Sequence, residues 1–366
     1  HNNCNFPQSV LVGFALVYQV SIQDTDKEVF SLWSISMRYS LLSLSVLSVF
    51  ACNAMAANVT IYGLVDYGFS LSRASGNGAG AADGSMEFIL ENQFLADSGE
   101  LQTSTTFWER ESTVSLGTPF GKFTLGRTGQ LKSPVGSTAL AGTIVNPFGT
   151  MMSNFIGGHK FVTTGNYLTV NNSITYASPN FSGWQGFAQY SLANTDEGDY
   201  VDADDRYMAL AARYRDEALL FTAIIDTINE KGDHSTGDQP VTVNIAVNYD
   251  FGFIKPYLYA QWFKNNTINR AGGYMAGTGK YDGAGGVIAL QWPAFDGKAK
   301  VSVGYMNAVS VNDDVSDLER YSVNIGWDRA ITKKTHVYTN LGYAQQDTDE
   351  AQLRGTEAVA GLVHYF

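Results

Sequence analysis

Residues 57–71 read ANVTIYGLVDYGFSL, and they alternate strictly. Val59, Ile61, Gly63, Val65, Tyr67 and Phe69 share one face, while Asn58, Thr60, Tyr62, Leu64 and Asp66 share the other. Period-two alternation over that length marks a strand and not a helix. What the apolar face meets, packed protein or lipid, decides the kind of molecule, and the rest of the chain supplies the answer.

The chain has 366 residues, of which 45% are hydrophobic, 13% aromatic and only 16% charged, with 37 Gly and 20 Tyr. Soluble domains carry about 25% charged residues. No run reaches the ~18 consecutive apolar residues of a membrane-crossing helix. A mean hydropathy of −0.10 resembles that of a soluble protein. Membrane β-barrels give the same value, however, because lipid-facing and lumen-facing residues alternate along each strand.

Residues 1–36 begin with His and show no sustained periodicity, which marks them as an upstream, non-native extension. Met37-Arg38 then opens MRYSLLSLSVLSVFACNAMA: a basic start, an apolar stretch over residues 41–50, and Ala54-Met55-Ala56. That is the form of a secretory signal peptide, residues 37–56, cut before Ala57. Cys4 and Cys52 both precede that cut, so the expected mature chain, 57–366, carries no cysteine. An exported chain without cysteine needs no disulfide in an oxidising compartment. It keeps 21 basic and 32 acidic residues, a net of −11, which argues against nucleic acid as a partner.

From Ala57 onward, alternating segments of about ten residues recur, among them WQGFAQYSL (184–192), ALLFTAIIDTI (218–228), VTVNIAVNYDF (241–251), KAKVSVGYM (298–306) and AVAGLVHYF (358–366). Short connections such as RDEA, PAFDG and AITKK alternate with long ones such as ANTDEGDYVDADD and NNTINRAGGYMAGTGKYDGAG. That rhythm predicts an all-β, antiparallel up-and-down transmembrane barrel with short periplasmic turns and long outer loops. Strands of ~9–11 residues match a tilted crossing of the bilayer. The apolar face of the opening stretch then meets lipid or a neighbouring subunit, and Tyr62 and Asp66 face a wet interior. A closed barrel leaves no strand edge unpaired in lipid, and closure is expected between the terminal strand and the one beginning at Ala57.

Several pieces, spread along the chain in order, resemble the general trimeric porins of Gram-negative outer membranes, in particular the neisserial and betaproteobacterial branch. They are VTIYGLVDYG (59–68), FILENQF (88–94), ERESTVSLGTPFGKFTLGR (109–127), NNSITYASPNFSG (171–183) and the terminal GLVHYF. The resemblance implies about sixteen strands, a homotrimer, and passive diffusion of ions and small hydrophilic solutes. It further implies that the loop after LGR, about residues 128–168, folds back into the barrel as a constriction. That loop has some forty residues without a strand pattern, a length that calls for a functional reason.

Two features depart from the family pattern. Where the family has a full second strand, this chain offers only SRASGNGAGAADG (72–84), so clear strands number fifteen. The segment is read as a degenerate second strand with Asp83-Gly84 as its turn, since Asp-Gly suits two-residue hairpins; the alternative is that this strand is missing and the barrel truncated. The constriction is also altered: no Asp or Glu occurs from Arg127 through Thr195, whereas Lys132, His159 and Lys160 do. Pore-constriction candidates are Arg110, Arg127, Lys132, His159, Lys160, Tyr62, Asp66 and Glu91. A local cationic cluster outweighs distant loop charges beyond a Debye length of ~8 Å, giving an expected weak anion preference.

No catalytic, cofactor or metal site is expected. The histidines after residue 57 are His159, His234, His336 and His364, none in a nucleophile motif. Acids crowd the outer loops at Asp196, Glu197, Asp199, Asp202, Asp204 and Asp205, and again at Asp313, Asp314, Asp317 and Glu319. They face solvent, with outer-membrane lipid and lipopolysaccharide as surrounding partners. The alternatives are a substrate-specific outer-membrane channel and a surface-exposed, adhesin-like barrel.

Overall fold

A computed structural model describes residues 15–24, 57–60, 62–72, 85–95, 100–101, 107–141, 144–148, 159–164, 169–192, 206–229, 238–268, 279–311, 316–349 and 351–365. Seventeen strands carry the fold. The first part comprises β1 (Ala15–Asp24), β2 (Ala57–Thr60), β3 (Tyr62–Ser72), β4 (Ser85–Leu95), β5 (Glu111–Thr118) and β6 (Gly121–Gly129). The middle comprises β7 (Thr169–Ala177), β8 (Trp184–Ser191), β9 (Arg206–Arg215), β10 (Leu219–Asn229), β11 (Val241–Tyr249) and β12 (Lys255–Thr267). The last five are β13 (Lys280–Ala294), β14 (Gly297–Ser310), β15 (Leu318–Ala330), β16 (Thr335–Thr348) and β17 (Gln352–Tyr365). From β3 to β17 each strand pairs antiparallel with the next, which is the predicted meander.

The seam differs from expectation. The terminal strand does not pair with the strand beginning at Ala57; β1 lies between them, with Ala15 opposite Tyr365 and Asp24 opposite Ala57. Because β2 and β3 are successive pieces of one crossing, the described residues make sixteen crossings. The crossing missing from the simple count comes from residues 15–24, where sequence periodicity gave no signal. β3 and β4 pair directly, with Ser72 opposite Ser85, and residues 73–84, expected as a second strand between them, lie outside the described residues. The proposed Asp83-Gly84 turn and the signal-peptide segment 37–56 lie outside the described residues.

The short turns form locally. Phe295 and Asp296 have φ of 52° and 57°, and they link Ala294 to its ladder partner Gly297. Two consecutive positive φ values make the type I′ turn whose twist matches paired strands. Gly121 opens β6 at φ +130°, where an added Cβ would stand 2.4 Å from the Ala177 carbonyl oxygen.

The faces answer the question raised by residues 57–71. One row across seven neighbouring strands runs Phe221, Val247, Leu258, Ile288, Val303, Val323 and Tyr343, all apolar. It points outward, and Ile288 is 63% exposed. The neighbouring inner face carries Asp226, Thr242, Asn244, Gln261, Ser302, Arg320, Ser322, Asn324 and Gln346, all buried. Apolar surface facing water costs roughly 25 cal/mol per Å², so a band of this extent belongs in hydrocarbon. Aromatic residues gather at the short-turn end, where Trp184 stacks on Tyr214 at 5.1 Å and Tyr249 on Phe251 at 4.5 Å. Amphipathic rings at that level mark a membrane–water interface.

Candidate pore constriction

The described residues of the segment after β6 turn inward and lie against the inner wall of β8 and β10–β16, as the resemblance implied. Its early part is held by polar side chains of that wall. Gln189 of β8 accepts from the Leu131 amide at 3.0 Å. The Lys132 ammonium reaches Asp226 of β10 at 2.6 Å, and Asn248 of β11 donates to the Ile144 carbonyl at 2.9 Å. The later part forms a short 3-10 turn, His159–Val162. Beyond it the Gln261 amide both accepts from the Thr164 nitrogen (2.7 Å) and donates to its carbonyl (3.1 Å). Arg320, fully buried, donates to the Phe161 carbonyl at 3.1 Å and lies over the Phe161 ring at 5.0 Å. Bonds of this kind satisfy backbone groups that would otherwise be desolvated without partners.

Apolar packing completes the seat. Phe161 and Val162 join Phe263, Val287 and Met306 of the wall in one cluster. The wall is bare where the loop presses hardest. A Cβ on Gly285 would stand 2.0 Å from the Val162 carbonyl oxygen, and one on Gly304 2.9 Å from a Val162 methyl. One on Gly326 would meet Phe148 at 2.6 Å.

The residues singled out from sequence fall into three groups. Arg110 and Glu91 meet in the lumen: Arg110 Nε lies 3.3 Å from Glu91 Oε2, and its Nη1 donates to Gln93 at 3.1 Å. Asp66 takes the ladder position opposite Glu91, which in turn lies opposite Glu111, so three acidic positions run across β3, β4 and β5. Tyr62 shares that face by register. The second group is Lys160, half-buried on the loop. Its ammonium is held below the usual lysine range, first by burial and then by the nearby Arg110 charge.

The third group is structural. Lys132 is buried in its ion pair with Asp226. Arg127 sits opposite Ser112, on the outer register, where it donates to the Glu109 carbonyl at 2.6 Å and to Asn171. It ties two strand ends together and does not line the passage. His159 is buried, with its ring 5.2 Å from that of Tyr259.

Burial, with a smaller contribution from Lys160, pushes the His159 pKa down to about 3. The unfolded imidazole takes up its proton near pH 6.5 while the seated one does not. The contribution of His159 is therefore complete above about pH 6.5 and falls as pH drops toward 3, by up to about 1.4 kcal/mol per pH unit. Thermal unfolding at pH 7.5, 5.5 and 4.5 should show this decline, and His159→Gln should flatten it. An equal decline in the variant would remove His159 from that role.

Sequence reading missed Glu111 and the wall side chains that receive the loop. The Glu111 carboxylate accepts from the Ser137 amide at 2.7 Å, from the Ser137 hydroxyl, and from Thr128 and Thr113 at 3.1 and 3.2 Å. Its neighbour Arg110 drew attention instead. The wall residues stood out only as long polar side chains on inward positions, without any sign of what they would hold. Five inward tyrosines, Tyr207, Tyr257, Tyr259, Tyr281 and Tyr338, are buried and present no accessible rings to the lumen.

A closed meander with lipid outside, polar wall inside and a loop seated within defines a membrane channel. The family model for Gram-negative porins matches residues 43–349, and the chain belongs to that family. Outer membrane porin protein 32 of Delftia acidovorans is 25% identical over 362 residues, covering 89% of this chain and 95% of that protein. An outer membrane porin of Bordetella pertussis is 22% identical, covering 90% and 100%. Among solved structures, an anion-selective porin from Comamonas acidovorans superposes with a TM-score of 0.61 at 17% identity, covering 98% and 99%. OmpF of Salmonella typhi gives 0.61 at 14% identity, covering 97% and 96%. The protein is an outer-membrane porin. Among the described residues no group of three His, Cys, Asp or Glu could hold a metal ion.

Proposed function

We propose that three copies of this chain form a general diffusion pore of the outer membrane, passing small hydrophilic solutes with a modest preference for anions. The carrying observation is the loop pinned to one wall while Arg110, Glu91 and Lys160 stay partly accessible to the passage. Charged side chains in a narrow, partly desolvated passage bias ions through field strength. A channel built for sugars would need accessible aromatic rings, and among the residues whose burial is described Tyr207, Tyr257, Tyr259, Tyr281 and Tyr338 are covered. The acidic outer loops suit a lipopolysaccharide surface bridged by divalent cations, and this contact is part of the proposal.

Export by residues 37–56 also belongs to it. Removal of residues 1–56 would take away β1 and leave β17 and the β2–β3 crossing, which run the same way, to close in parallel. The test is planar-bilayer recording on chain extracted from outer membranes, after its N-terminal residue has been read. Conductance in steps of three, with a reversal potential on the anion side under a salt gradient, is expected. Single independent steps would refute the trimer, and a cation-side potential would refute the preference.

A further inference from the structure

Among the described residues, four lumenal cations at the short-turn end stand outside every ion pair: Arg213, Arg215, Lys255 and Lys298. Ladder register places each on the inner face. Arg213 and Arg215 alternate with outward Tyr214 on β9, Lys255 shares the face of buried Tyr257 and Tyr259 on β12, and Lys298 shares that of Lys300 on β14. Arg215 and Lys298 are exposed, and Arg213 and Lys255 are half-buried. Arg213 donates to the neutral Gln185 amide at 2.6 Å and lies over the Phe187 ring. Lys255 lies over the Tyr257 ring at 5.6 Å.

The acids on the strands nearby are paired with other cations, and the remaining ones, Asp216, Glu217 and Asp250, lie in the short turns. Asp328 pairs with buried Lys300, and Asp226 with Lys132. Asp216 accepts from the amides of Ala218 and Leu219 at 2.8 and 2.7 Å, and from the Tyr214 hydroxyl at 3.1 Å. Asp250 accepts from the Gly252 amide at 2.8 Å. Glu217 lies in the β9–β10 turn. Across the lumen Glu87 pairs with Lys122, and on the outer face Asp296 faces Arg329 at 3.7 Å.

At the constriction the balance is different. Arg110 has Glu91 beside it and Lys132 has Asp226. A paired charge presents a dipole, whose field fades faster than that of a lone charge. The four short-turn cations span β9 to β14, five strand spacings or roughly 24 Å of perimeter. Arg213 and Arg215, two residues apart, are separated by about 7 Å, within one Debye length of ~8 Å at physiological salt. At ~0.01 M salt the Debye length grows to ~30 Å, and the whole arc acts as one positive field.

We infer that this cationic arc on the periplasmic vestibule wall, more than the constriction, sets the size of the channel's preference for small anions such as chloride, phosphate and carboxylates. The inference rests on the diffusion-pore reading above. Short turns mark the periplasmic end of such barrels, so the arc acts where solutes leave toward the cell. Like-signed side chains around a low-dielectric mouth concentrate counter-ions there. The effect grows as periplasmic-side salt is lowered.

The test compares R215Q/K298Q and the charge-reversed R215E/K298E with R110Q/K160Q, each in full-length chain, using potassium chloride gradients imposed in both directions. Arg215 and Lys298 are exposed, so their replacement spares packing, and trimer migration before heating verifies folding. The chloride-to-potassium permeability ratio is expected to fall roughly threefold in R215Q/K298Q and to cross below one in R215E/K298E. The fall should be larger when the dilute side is the short-turn end. A ratio unchanged in both arc variants but lost in R110Q/K160Q would overturn the inference while leaving an anion-preferring pore intact. A wild-type ratio at or below one would overturn the preference itself, which is the failure of the underlying reading.

Discussion

Asp226→Ala should lower stability by about 3–5 kcal/mol and make the open-channel current noisy. Lys132 and Asp226 side chains are 3% and 2% exposed and lie 2.6 Å apart, so removing the carboxylate strands an ammonium in a desolvated site. The same carboxylate accepts from the Thr242 hydroxyl at 2.7 Å and lies at 3.5 Å from the Asn244 amide, so its loss unsettles the floor beneath the loop as well. The charge-free pair Lys132→Met with Asp226→Leu should recover most of the loss, because a buried ion pair and its apolar replacement are often nearly equal in energy. Urea unfolding in detergent measures the first effect, and single-channel noise the second. A cost below about 1 kcal/mol for Asp226→Ala would mean that the pair is hydrated and does not pin the loop.

Ile288→Arg is the second large effect, at about 2–4 kcal/mol. Ile288 sits in the middle of the seven-strand apolar row, between Leu258 and Val303, and is the most exposed member of that row at 63%. In water such a residue would tolerate a charge with little consequence. Near the bilayer midplane a guanidinium has no water within reach, and the barrel must thin the lipid or unfold locally to hydrate it. Folding into phospholipid vesicles, followed by urea titration, reads the loss directly, and Ile288→Leu should leave it unchanged. If Ile288→Arg folded as well as the parent protein, that face would not be in hydrocarbon.

Much of this was legible in the order of the residues. Strand positions and the alternation of their two faces follow from the local sequence, so an apolar and a polar face of many strands could be read before any pairing was known. The infolding of residues after Arg127 was implied by the family resemblance, and the length of the patternless loop called for a functional reason. Pairing partners could not be read. Lys132 looks like a pore-lining cation in a segment without acids, and its carboxylate lies 94 residues further along the chain. Arg127 looked equally suited to the lumen, until the irregularity between Gly126 and Thr128 and its position opposite Ser112 placed it on the outer register. The seam strand gave no local warning, because Ala15–Asp24 gains its place from two neighbours at opposite ends of the sequence. A charge count along the chain says how many cations exist; only register says which of them have spent their field on a neighbour.

The missing side chains at Gly285 and Gly304 set the calibre of the channel as much as any residue that is present. With the loop backbone sunk against bare wall at Val162, the aperture is fixed by strand geometry and inherits the stiffness of a hydrogen-bonded cylinder. A loop standing off the wall on flexible side chains would instead act as a soft valve, its opening drifting with temperature and tension. In this barrel the obstruction is part of the pipe.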